Sequence, residues 1–150
     1  MTRRMKQGVL MVAVILPLAA AARSVPASSG RPEVWGDGGC FAISYSSVMN
    51  TCASRKSWEI PLSIDASSNK TVVVAAQGAS TANNVGCAAV GLNREFTTVW
   101  GGTRKWLTAF PSVQLITLTD AFVPSRGYLF VNCHVDNGGR VVSVDYNSGA

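Results

Sequence analysis

Histidine is almost absent from this 150-residue chain, and His134 is the only one. Every Ser-His-Asp or Cys-His scheme must therefore run through that one side chain. Acidic residues are also scarce, eight in all. No apolar run reaches the roughly 20 residues a bilayer-spanning helix needs: residues 9–22 form an apolar stretch of 14 that contains Pro17. Cysteine is missing before Cys40, so no thiol is placed to carry a lipoprotein anchor. A Gly-x-Ser-x-Gly nucleophile elbow, an internal repeat and a helical hydrophobic period are missing too.

What is present at the start is the three-part layout of a cleaved export signal. Arg3, Arg4 and Lys6 make a basic beginning, residues 9–22 the apolar segment, and the alanine run and Val25-Pro26-Ala27 offer small residues at cleavage positions. Residues 1–27 are assigned to the signal and 28–150 to one domain, with cutting after Ala22 or Ala27 and a mature N-terminus between Arg23 and Ser28. The Arg3-Arg4 pair is followed by Met5-Lys6-Gln7 rather than the apolar residues of twin-arginine signals, which points to the general secretion route. The expected location is secreted, periplasmic or extracellular, with no membrane span after cleavage.

The formal charge of +5 suggests nucleic acid, but four of the 13 basic residues lie in the signal. The remainder is close to neutral, which removes the electrostatic case for phosphate backbones or anionic membranes. Four cysteines remain, Cys40, Cys52, Cys87 and Cys133, an even number that reads as two disulfides in an oxidising compartment. Four cysteines allow three pairings; the short loop and the matching faces favour Cys40 with Cys52 and Cys87 with Cys133. Their spacing lacks the close ligand pairs of zinc sites, so no metal and no cofactor is expected.

Clusters of Gly, Asn, Ser and Pro punctuate the chain, and the segments between them alternate at period two, the pattern of an all-β domain. Residues 57–65 put Trp58, Ile60, Leu62 and Ile64 on one face, and Pro61 asks for a sheet edge or a free side. A polar turn over residues 66–70 leads into 71–77, a Val-rich run able to be buried on both sides. Asn69-Lys70-Thr71 is a formal glycosylation sequon, read here as part of that turn. Residues 85–92 place Val85, Cys87 and Ala89 together, and residues 113–119 are β-branched. Residues 128–135 and 142–146, joined by Asp136-Asn137-Gly138-Gly139, are the best hairpin candidate. Seven or eight short strands result. A small antiparallel β-sandwich is the expected fold, a small β-barrel the second choice, and a Cys87–Cys133 bridge is expected to staple the two layers.

Cys87, Trp100 and Cys133 together resemble the Cys, Trp, Cys rhythm of immunoglobulin domains, over less than half of the mature chain. Val131 stands where that family's corner tyrosine is expected, and Trp100 runs into Gly101-Gly102. The resemblance implies adhesion or recognition through fold analogy.

His134 shares a face with Tyr128, Phe130 and Asn132, which reads as a partly exposed strand face rather than a catalytic centre. Glu59 and Asp65 fall on the polar face of a strand, Asp37 and Asp136 in Gly-rich turns, and Asp120 at the start of a loop; none of these is a glycosidase-type pair. Recognition remains. Trp100, Arg104, Lys105 and Trp106 lie in one connection between strands and are the candidate ligand contacts. The expected protein is a binding or cell-surface interaction module for a protein or glycan, not an enzyme. The alternatives are a small secreted hydrolase and an inhibitor presenting residues 120–127.

Overall fold

Alternation decides the elements of the computed structural model, which describes residues 22–147. In β6 (Ser68–Gln77) Lys70, Val72, Val74 and Ala76 are buried while Asn69 and Thr71 are exposed. β5 (Lys56–Leu62) buries Trp58, Ile60 and Leu62, and β7 (Val85–Leu92) turns Val85, Cys87 and Ala89 into the core. The other strands are β1 (Ala22–Pro26), β2 (Arg31–Pro32), β3 (Phe41–Ser44), β4 (Ser47–Asn50), β8 (Val99–Gly101), β9 (Lys105–Trp106), β10 (Gln114–Val123), β11 (Tyr128–Val135) and β12 (Arg140–Asn147). Twelve strands are thus described, more than expected, because β2, β8 and β9 are only two or three residues long and β1 falls in the stretch assigned to the signal.

The protein is an antiparallel β-sandwich with two disulfides. Sheet A runs β10-β6-β12-β4-β3 with β1 also on β12, and sheet B runs β2-β5-β11-β7-β8 with β9 also on β7. Inward residues of both sheets form one core, with Val72, Val74, Leu118 and Val144 from sheet A against Ile60, Ala89, Val131 and Val135 from sheet B. β5 pairs with β11 along its whole length but with β2 only at Trp58 and Glu59, so Pro61 sits on the open side that its missing N–H requires.

Six expectations change. β11 and β12 do not form a hairpin: β11 is flanked by β5 and β7, while β12 lies in sheet A, so the turn at 136–139 carries the chain between layers. A register shift between Val141 and Ser143 makes Val141, rather than Val142, the buried residue beside Val144 and Tyr146. Cys87 does bond Cys133, but the two stand directly opposite each other on β7 and β11, 4.1 Å apart at Cα, so the bridge lies within sheet B and does not join the layers. That placement, with Trp100 on the outlying β8, is not the immunoglobulin core arrangement. The sequon lies in β6, with Asn69 opposite Phe122 and Lys70 opposite Ala121. Residues 120–123 continue β10 and a tight turn closed by Gly127 N–H on Pro124 O follows, which leaves no long inhibitory loop at 120–127.

Cys40 and Cys52 bond across the open end of the β3–β4 hairpin, as their short separation implied. The signal segment lies outside the described residues up to position 21. Residues 22–26 form β1 against β12, Ala27 is fully buried, and the Trp58 indole donates to the Ala27 carbonyl at 2.9 Å. Among the described residues no helix is long and apolar enough to cross a membrane.

Candidate functional site

The outward positions of β7, β11 and β5 make the floor of an open cleft of about 1110 Å³ on the outer face of sheet B. Period two puts Phe130, Asn132 and His134 on this face of β11, Ala88 and Val90 on β7, and Glu59 and Pro61 on β5. The short side chains of Ala88 and Val90 on β7 keep the floor low beside β11. At one end stand two exposed aromatics, Tyr128 at 57% and Phe96 at 75% exposure. Phe96 is presented by the loop between β7 and β8, where the Asn93 side-chain oxygen accepts from the N–H groups of Thr97 and Thr98 and the Phe96 N–H returns to the Asn93 carbonyl. Phe96 itself has a φ of 58°, a conformation a bulky residue rarely adopts, and such outliers concentrate at functional sites.

Toward the other end runs a locked polar row. Arg104 donates to the Gly86 carbonyl at 2.6 Å, the Asn132 carbonyl at 2.9 Å and the Asn132 side-chain oxygen at 2.7 Å, and the Asn132 amide donates to Glu33 at 3.1 Å. Glu59 lies 3.6 Å from the Arg31 guanidinium across the strand pair. Each polar group is fixed by its neighbour rather than by solvent, which lowers the entropy lost when a ligand binds.

The four sequence-predicted contacts divide between two surfaces. Arg104 lines the cleft. Trp106 lies flat on Gly86, where a Cβ would come within 2.4 Å of the indole; Arg55 sits over the ring at 4.6 Å, and His134 meets it edge-on at 6.3 Å. Its faces are therefore occupied by protein. Lys105 reaches away to the Thr117 carbonyl at 2.6 Å, and Trp100 packs edge-on against Phe122 at 5.5 Å, both toward β10 of the other sheet. Tyr128, Phe130, Asn132 and His134 were legible as one strand face; Phe96, Glu33 and the small residues of β7 were not singled out.

Burial depresses the His134 pKa, the Arg104 and Arg55 charges add to it, and Glu33 and Asp136 do not offset them, so this cleft favours the neutral ring over the imidazolium. Burial alone would raise the Asp120 carboxyl, but hydrogen bonds from the Thr103 hydroxyl and N–H and from its own N–H, with Lys105 nearby, hold it below its ordinary value. Both depressed groups weaken the fold in acid, since the unfolded chain takes up the proton first. Denaturant titrations should show stability falling below about pH 6.5 through His134, then falling again below about 3.9 through Asp120. His134→Gln should remove the first decline and Asp120→Asn the second; unchanged declines in the variants would contradict these assignments.

Every acidic side chain of the described domain is held by a neighbour. Asp37 is bound by Lys56, Asp65 by Arg23, Glu95 by Arg94, Asp136 by Arg55, Asp145 by Ser24, Asp120 by Thr103, and Glu33 and Glu59 by the groups above. Both cysteine pairs are oxidised, and among the described residues no group of three or more metal-ligating side chains gathers.

No protein-family model and no curated protein matches the sequence. Solved structures do resemble it. The C-terminal CBM6 of LamC from Zobellia galactanivorans aligns with a TM-score of 0.50 at 11% identity, covering 85% of this chain and 99% of that one. The likeness is one of fold. A carbohydrate binding module from the Cellvibrio mixtus lichenase 5A, solved with cellotriose, gives 0.46 at 11% identity over 83% of this chain and 95% of that one. The enzymatically active domain of tailspike protein 4 of bacteriophage CBA120 gives 0.49 at 12% identity over 67% of this chain, which spans only 15% of that domain.

Proposed function

We propose that this protein is an exported carbohydrate-binding module whose site is the cleft on the outer face of sheet B. The observation that carries the reading is the pairing, in one open cleft, of exposed Phe96 and Tyr128 with the fixed Arg104–Asn132–Glu33 row. A sugar ring offers an apolar C–H face and a rim of hydroxyls. Aromatic faces take the first, and planar amide, carboxylate and guanidinium groups take the second. The fold shared with the LamC module supports the reading, as does the engagement of every acid in the domain, which favours holding a ligand over moving protons. Glycan arrays should return a ligand for the purified protein. Phe96→Ala and Tyr128→Ala should each weaken it about tenfold or more, equivalent to about 1.4 kcal/mol, with little change in melting because both residues are exposed. Undiminished binding by the double variant would overturn the assignment.

Export fits the two disulfides, which require an oxidising compartment. Cleavage after Ala27 would strip β1 from β12 and remove the buried Ala27, whereas cleavage after Ala22 leaves nearly all of both. The released protein is therefore expected to begin at Arg23. Intact-mass measurement reads this, and a start at Ser28 would contradict it.

A further inference from the structure

We propose that two copies of this chain associate by pairing their β3 strands edge to edge, continuing sheet A across a two-fold axis. An uncovered sheet edge is a template for another strand, and natural proteins guard it with proline, charge, bulges or cover. The other edges are guarded. β10 is bulged between Leu118 and Ala121 and its Thr117 carbonyl is taken by Lys105; β1 carries Pro26 and the Arg23–Asp65 ion pair. β2 and β5 carry Pro32 and Pro61, and β8 ends at Gly101, which with the following Gly102 has a positive φ. β3 pairs only with β4 and reads Phe-Ala-Ile-Ser, with no proline and no charge.

The surroundings suit a second copy. From Gly38 to Ser54 the chain has no charged residue, so two such surfaces meet without repulsion or desolvated ions. Four of the exposed large hydrophobics, Val34, Trp35, Ile43 and Tyr45, fall within residues 34–45, with Trp35 at 95% and Tyr45 at 99% exposure. Tyr45 opens the two-residue turn between Ser44 and Ser47 at a φ of 52°, where glycine is the ordinary occupant. A large aromatic is thus kept in a strained position at the tip of the open edge.

The hydrogen-bond pattern specifies the register. Ser44 and Ser47 flank a two-residue turn and exchange hydrogen bonds, so by alternation Ile43 N–H and C=O and Phe41 C=O point to the free edge. The Phe41 N–H is already spent on the Gly38 carbonyl. An antiparallel pair centred on Ile43 joins Ile43 to its counterpart by two bonds and each Tyr45 N–H to the other copy's Phe41 carbonyl. Such an interface is isologous and closed, so it stops at two copies. It makes the assembly bivalent for an arrayed ligand.

Analytical ultracentrifugation of the processed, oxidised protein from about 1 to 200 μM should show a reversible monomer–dimer equilibrium that changes less than twofold between about 0.05 and 0.5 M salt, as an uncharged contact requires. Ile43→Lys, which sets like charges opposite each other, and Ile43→Pro, which deletes the central donor, should each weaken association tenfold or more. Leu115→Lys on exposed β10 should not, and glycan affinity per site should stay the same in all three variants. Ile43→Thr keeps the β-branched shape and serves if the proline variant misfolds. A protein monomeric throughout the range, or a dimer indifferent to Ile43→Lys, overturns the proposal.

Discussion

Gly91→Ala is expected to leave little folded protein. Gly91 is an inward position of β7, and a Cβ there would stand 1.9 Å from the Phe122 carbonyl oxygen and 2.8 Å from its carbon. Both are backbone atoms of β10 in the opposite sheet, so no rotamer change relieves the clash. The sheets must separate, uncovering Cys87, Ala89 and Leu118, which are fully buried. A loss of about 4 kcal/mol or more follows, beyond the usual overpacking cost, because the obstacle is main chain. That is a large part of the roughly 5–15 kcal/mol that holds a domain together. Gly36→Ala is the control, since a Cβ there meets nothing within 4 Å. Its stability should change by less than about 0.5 kcal/mol. Denaturant midpoints of the two variants decide the matter, and a Gly91→Ala protein as stable as the control would contradict the close approach of the sheets.

The second large effect is the unequal value of the two disulfides. Cys87 and Cys133 are 46 positions apart, Cys40 and Cys52 only 12. On the loop-closure model, cross-links of those spans remove unfolded-state entropy worth roughly 4 and 3 kcal/mol respectively. Cys87 and Cys133 are also fully buried in the core, so replacing both with alanine removes packing as well. The Cys87→Ala/Cys133→Ala protein should therefore be less stable than the Cys40→Ala/Cys52→Ala protein by more than the difference in entropy alone. Equilibrium unfolding of both double variants tests this. A greater loss from removing Cys40 and Cys52 would show that the N-terminal hairpin, not sheet B, limits stability.

Both pairings and most inward faces were legible in the sequence because a strand's side-chain period is two, and that period is all that Trp58, Ile60 and Leu62 or Val85, Cys87 and Ala89 need to declare a side. Period alone says nothing about which strand lies alongside. This is why β11 and β12, adjacent in sequence and joined by a turn suited to a hairpin, read as partners although they belong to different sheets. The layers are brought together by the bare backbone of Gly91 instead of by the Cys87–Cys133 bridge, and a glycine in a strand does not announce whether it marks a bulge or a close approach. Lys70 shows the same limit. A lysine beside Asn69 reads as turn, yet its side chain is almost wholly buried, with the ammonium on the Ala66 carbonyl and its pKa lowered by burial against the pull of Asp65.

In the candidate site, the face of Tyr128, Phe130, Asn132 and His134 followed from alternation. Phe96 did not, since its exposure depends on how Asn93 gathers the loop. The stretch from Trp100 to Trp106 read as one connection between strands. The chain there supplies two short strands at the edge of sheet B, and alternation in β9 sends Lys105 toward β10 and Trp106 onto Gly86.

Whether the outer face of sheet B is the glycan site is tested most directly by nitrogen–proton NMR spectra recorded while titrating the array-selected glycan. Saturable shifts are expected, concentrated in residues 93–98, in β7 and β11, and at the Arg104 and Asn132 groups, with sheet A unmoved. Shifts confined to β10, Trp100 and Lys105, or spread over the outer face of sheet A while the cleft stays silent, would contradict it.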